Sequence, residues 1–298
     1  MTAVHRATSP AESEEPFMHN GYRLSEHGSG TYLVQGPASN WVILAEGGEF
    51  TLIDGGYPND TPLVLESIRQ VGLDPRAAQA MLITHGHVDH TGAANYFAQH
   101  FDVPVLSSAQ EHRQVLGLER FQGTPAQVIL RAWRPAVFRW MRHVLRAGGA
   151  QGTQVPTAQR WDAERLAKLP GAPVAIPTPG HTPGHTAFLL PQCESLISGD
   201  ALITGHALSA HHGSQMLHPM FHHHAQWTQN SLERLGQLSA SLILPGHGGA
   251  FEGTPHEAVL EAATRRWRRR VASPSPASGQ AQRLEKSQPL PIGGIALP

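Results

Sequence analysis

The chain has 298 residues, with 22 Lys and Arg against 23 Asp and Glu, 20 His, and a net charge of −1 when His is neutral. Its length allows one large domain or two small ones, and with 40% hydrophobic residues it can build a packed core, which excludes global disorder. No run reaches the ~18 apolar residues of a membrane span, residues 1–17 contain no apolar signal-peptide core, and the single Cys193 cannot close an internal disulfide, so a cytoplasmic location is expected.

In chain order, residues 1–17 read as a disordered leader of Ser, Thr, Glu and Pro, ahead of one folded domain over 18–270. Residues 41–46 and 50–54 read as two strands joined at Gly47-Gly48. Asp60 is placed to cap a helix through Gln70. Residues 81–84 form a short apolar strand that runs into a His-rich loop, followed by a helix over 91–101 and a strand over 103–106.

The next segment, about 121–150, breaks the strand–helix pattern and reads as a helical insertion. Ile129, Trp133, Val137, Trp140 and Val144 recur at helical spacing among five arginines, and Pro135 is expected to kink or split that helix. Three uses fit it: core packing, contact with a membrane surface, or a cap. The cap is preferred, with Trp133, Phe138, Trp140 and Met141 forming an apolar substrate pocket. Strands follow at 174–176, 186–190, 195–197 and 241–244, with helices at 225–238 and 256–269. Residues 271–298 form a disordered Pro/Gly/Ser tail. Runs of strands followed by strand–helix alternation predict an α/β fold of two packed sheets with helices outside.

Thr84-His85-Gly86-His87-Val88-Asp89-His90 places four potential metal ligands within six residues, directly after a strand. Imidazole with carboxylate suits zinc, and also iron or manganese. Three further motifs lie at strand ends beside glycine: Thr178-Pro-Gly-His181-Thr-Pro-Gly-His185, Ser198-Gly-Asp200, and Pro245-Gly-His247. Ligands from separate strand ends that converge on one edge give a rigid, open site. A second His-rich stretch, 206–224, follows Asp200 and reads as a polar loop.

This ordered set, with Asp54 in Leu-Ile-Asp-Gly-Gly, resembles the metallo-β-lactamase superfamily over roughly residues 28–260. The motifs look most like its glyoxalase II-like branch. The resemblance implies an αββα sandwich with a two-metal site at its edge, holding two zinc ions or, in their place, iron or manganese. His85, His87 and His181 would bind the first metal. Asp89, His90 and His247 would bind the second, and Asp200 would bridge both. Asp54 would orient one of the ligating histidines, and His185 would support the site without ligating. The implied chemistry is hydrolysis by a metal-bridging hydroxide, with Asp89 or Asp200 relaying the proton.

The expected substrate is a small-molecule ester, thioester or lactone. Ile203 stands where acyl-homoserine-lactone lactonases carry a tyrosine, three residues after the bridging Asp, at the edge of the expected pocket. Two alternatives come from the same superfamily. One is a mononuclear iron persulfide dioxygenase using His85, His87 and Asp200. The other is a phosphodiesterase or nuclease. From Arg265 onward there are seven basic residues and one acid, which leaves the first 264 residues at −7. No nucleic-acid partner is expected of so acidic a body.

Overall fold

The structure, a computed structural model, describes residues 18–19, 21–28, 30–121 and 128–265. The expected leader and tail, and the start of the insertion, lie outside these residues. Two sheets face each other. The first has eight strands in sequence order: β1 (Met18–His19), β2 (Tyr22–Glu26), β3 (Thr31–Gln35), β4 (Asn40–Glu46), β5 (Glu49–Ile53), β6 (Ala78–Leu82), β7 (Val105–Ser107) and β8 (Gln159–Arg160). The second runs β13-β12-β11-β10-β9, built from β9 (Val174–Pro177), β10 (Thr186–Leu190), β11 (Ser195–Gly199), β12 (Leu242–Pro245) and β13 (Phe251–Glu252).

Strand periodicity explains why the sheets stack. In β4 the run Trp41-Val-Ile-Leu44 is apolar without alternation because both faces are buried. Val42 and Leu44 point to the layer between the sheets, where with Leu33, Ile53 and Leu82 they meet Phe188, Leu190, Ile197 and Leu244. Trp41 and Ile43 point the other way, toward α1 (Thr61–Gln70) and the helix Ala94–Phe101, whose Val64, Ile68 and Phe97 cover that face. On the far side, Leu232 and Leu235 of the helix Ala225–Leu235 and Ala258 of Pro255–Thr264 cover the second sheet. The result is the αββα sandwich that the sequence implies. Among the described residues, no helix is long and apolar enough to cross a membrane.

Some local expectations shift. Strands β2 and β3 come before the first strand read from the sequence. Asp60 does not cap α1 with its side chain; its Oδ2 accepts from Tyr57 N at 3.1 Å and closes the preceding turn. Cys193 ends a short 3-10 turn, Pro191–Cys193. The insertion divides at Pro135: turns over 130–134 precede it, and the helix Pro135–Arg146 begins on it. Proline lacks an N–H, so the first helical turn is the one place in a helix where it costs no hydrogen bond.

Candidate metal centre

Topology brings the motifs to one edge. Strands β5 and β6 are parallel, as are β11 and β12, so Asp54, the 84–90 loop, Asp200 and His247 all follow strand C-terminal ends. Strand β10 is antiparallel to β11, so the loop with His181 and His185, which precedes it, lies at the same edge. The two sheets are tied there by Thr186 N donating to Thr84 O at 2.9 Å and Asn40 N donating to Gly246 O at 2.8 Å. Close approach requires glycine: a Cβ on Gly246 would sit 2.4 Å from Asp200 Oδ1.

His85, His87 and His181 form one donor group, and Asp89, His90 and His247 form another. Asp200 stands between them: its Oδ2 lies 3.4 Å from His181 Nε2 and 3.3 Å from His247 Nε2, and its Oδ1 lies 3.4 Å from His90 Nε2. Asp89 Oδ2 is 3.5 Å from His247 Nε2. Asp89 keeps some exposure toward the cleft, while the other six are buried.

The remaining hydrogen bonds decide which ring nitrogens face inward. Thr84 Oγ1 donates to Asp54 Oδ2, so it accepts from His85 Nδ1 at 3.1 Å. His87 Nε2 donates to the Phe121 carbonyl. His90 Nδ1 donates to Asp54 Oδ2 at 2.8 Å, and His247 Nδ1 donates to Ala38 O at 2.7 Å. Each of these four rings therefore presents its other nitrogen to the site. His85 Nε2 and His87 Nδ1 lie 3.1 and 2.9 Å from His181 Nε2, which has at most one proton to share between them. Burial holds His85 and His181 well below the usual imidazole range, so both are neutral.

Burial alone would lower His90 too, but Asp200, Asp54 and Asp89 hold it well above its ordinary value. His247 is raised against its burial in the same way, mainly by Asp200. His90 Nε2 and Asp200 Oδ1 are buried without a hydrogen-bond partner. Converging lone pairs on one side and an excess of carboxylate on the other are the environment a divalent cation needs, and the donor set fits metal.

Three side chains hold this arrangement. Asp54, in a left-handed conformation at φ 61°, anchors His90 and also accepts from Thr84 N at 2.9 Å. His185 accepts from Asp200 N through Nε2 at 3.0 Å, and its Nδ1 meets Thr178 Oγ1 at 2.8 Å. Burial pushes His185 down to about 3, so it serves as a neutral acceptor that fixes the Asp200 backbone. Glu111 was not foreseen. Only 1% exposed, it accepts from Gly86 N at 2.8 Å through one oxygen, and from Thr182 Oγ1 at 2.8 Å and Gly184 N at 2.9 Å through the other. It ties the two histidine loops together.

A cavity of about 390 Å³ opens over Asp89, Asp200 and His247. Of the residues expected to line it, Trp140 and Met141 do, together with Val144 of the same helix face. Trp133 does not: it precedes the helix break and is 81% exposed. Phe138 lies one position round from buried Val137 and projects outward, 51% exposed. Ile203 is fully buried, its backbone paired with Gln215 on both sides, and does not reach the cavity. A cavity of about 500 Å³ near Arg69, Tyr96 and His100 is larger but contains none of the seven candidate ligands.

The 206–224 histidines mostly serve local structure. His218 Nδ1 and His224 Nδ1 accept the first backbone N–H groups of the turns they precede, Met220 at 3.2 Å and Trp227 at 3.3 Å. Of these histidines, His206 alone lines the cavity.

A two-sheet sandwich that gathers five imidazoles and two carboxylates at one edge defines a metal-binding enzyme scaffold. The chain belongs to the metallo-β-lactamase superfamily, whose family model matches residues 34–247. The Bacillus subtilis protein YobT, itself uncharacterized, is 30% identical over 230 residues, covering 75% of this chain and 88% of YobT. The hydroxyacylglutathione hydrolase GloC of Haemophilus influenzae is 27% identical over 157 residues, covering 52% of this chain and 61% of GloC. Among solved structures, the metallo-β-lactamase SMB-1 in complex with mercaptoacetic acid aligns at a TM-score of 0.58 over 86% of this chain and 96% of that one. At 16% identity this is a likeness of fold.

Proposed function

We propose that the protein is a two-zinc hydrolase that cleaves an ester, thioester or lactone in a small molecule. The observation that carries this reading is the convergence of six donor side chains around Asp200, with the outward nitrogens of four histidines already fixed by hydrogen bonds. His85, His87 and His181 would hold one ion and Asp89, His90 and His247 the other, with Asp200 shared. When bound, the ions supply an activated water and stabilise developing oxyanion charge.

The chain's own residues do the rest. Asp54 and the Ala38 carbonyl keep the Nε2 lone pairs of His90 and His247 aimed inward. Asp89, the one partly exposed carboxylate of the set, faces the cavity and is placed to accept a proton at Oδ2. Val88, Val144 and Leu217 shield the reacting bond from bulk water. Retention of both donor groups favours the two-metal hydrolase over a mononuclear oxygenase.

The test is metal content measured on protein that is also assayed against thioesters, esters, lactones and phosphodiesters. About two zinc ions per chain with turnover of an acyl compound is expected. About one iron and no zinc, or turnover of phosphodiesters alone, overturns the reading.

A further inference from the structure

The cavity over the metal centre is apolar to a degree that narrows the substrate. Val88, Ile129, Met141, Val144, Leu145 and Leu217 supply its aliphatic wall, with aromatic faces from Tyr57, Trp140 and Phe221. No Lys, Arg or Glu lines it among the described residues. The neighbouring Arg134 is occupied elsewhere, donating to Leu208 O at 2.9 Å. An anionic ligand part lying along the aliphatic wall, such as the carboxylates of a glutathione conjugate, would lose its hydration against side chains that offer no partner.

One polar group in the wall has a hydrogen to give. His206 accepts from Leu208 N at Nδ1, 3.2 Å away, so its ring proton sits on Nε2. Its ring meets that of Trp140 edge to face, with centroids 5.2 Å apart, and stands equally close to His247. A volume of about 390 Å³ suits a small molecule.

We propose that this cavity binds a neutral acyl chain, and that His206 Nε2–H hydrogen-bonds the oxygen of its ester, thioester or lactone group. The bond that reacts rests on the hydrolase reading above; the binding of the chain does not.

The test uses the metal-loaded enzyme in two arms. In the first, n-alkyl primary amides from butanamide to decanamide are titrated calorimetrically. In the second, p-nitrophenyl esters of the matching acids are hydrolysed. Affinity and kcat/KM are expected to rise about fourfold per added methylene until the cavity fills, and an ω-carboxylate on the longest amide should abolish its advantage.

Met141→Lys should flatten the chain-length dependence, while Leu260→Ala, on an exposed helix face, should leave it intact. His206→Phe keeps an aromatic ring and removes the donor, and should weaken every amide by about fivefold without changing the slope. Binding that is flat with chain length, or a carboxylated chain that binds as tightly as the neutral one, overturns the proposal whether or not esters turn over. Length-dependent amide binding without turnover of any ester, thioester or lactone supports the acyl pocket and overturns the hydrolase reading instead.

Discussion

Glu111 offers the sharpest check on how the two histidine loops are held. Glu111→Ala removes the acceptor of three buried donors at once: Gly86 N, Gly184 N and Thr182 Oγ1. Each buried donor left unpaired costs about 1–3 kcal/mol. Water entering the vacated space can satisfy part of this, which puts the loss at roughly 3–5 kcal/mol. For a chain of this size each kcal/mol lowers the melting temperature by about 2–4 °C, so a fall of roughly 10 °C is expected. Glu111→Gln keeps the volume and one oxygen acceptor but turns an amide NH2 toward at least one donor, and should cost about 1–3 kcal/mol. Gly86 and Gly184 neighbour candidate ligands, so metal affinity should fall as well, by about 10–100-fold. Calorimetric melting of metal-stripped and metal-reloaded protein measures both effects. A stripped Glu111→Ala protein that melts within about 2 °C of wild type and reloads metal normally would refute the reasoning.

Two other substitutions test the site itself. His90→Ala should reduce bound metal from about two ions to about one and remove most turnover, as measured by elemental analysis beside the acyl-hydrolysis assay; normal metal with unchanged activity would rule out the two-metal arrangement. Gly246→Ala puts a methyl group 2.4 Å from Asp200 Oδ1. It should weaken metal binding far more than it lowers the melting temperature of the stripped protein, and equal metal affinity in a titration would contradict the packing described.

The candidate ligands were legible because their chemistry is written locally, as histidine and aspartate beside glycine at the ends of apolar strands. The resemblance implied that Asp54 orients one of the candidate ligands, and Asp54 Oδ2 lies 2.8 Å from His90 Nδ1. Glu111 was not legible. It is a single carboxylate outside every motif, and it acquires meaning only when folding places it between loops 25 and 73 residues away. The substrate wall was read only in part because helical periodicity was carried through Pro135. The helix begins at that residue, so the phase that places Trp140 and Met141 inward says nothing about Trp133. Ile203 was drawn in by its distance from Asp200 along the chain. Its pairing with Gln215 turns the segment so that the side chain goes into the interior.

The spacing of the donors along the chain has a consequence for biosynthesis. The site draws on positions from Asp54 to His247, and its last imidazole follows β12, the strand that pairs in parallel with β11. During synthesis the first sheet and its covering helices can form well before His247 leaves the ribosome, at about 5–20 residues per second. A nascent or truncated chain can therefore gather His85, His87 and His181 into one half of the centre while the other half still lacks a member. Metal capture by all seven candidate donors would then report that the second sheet has closed.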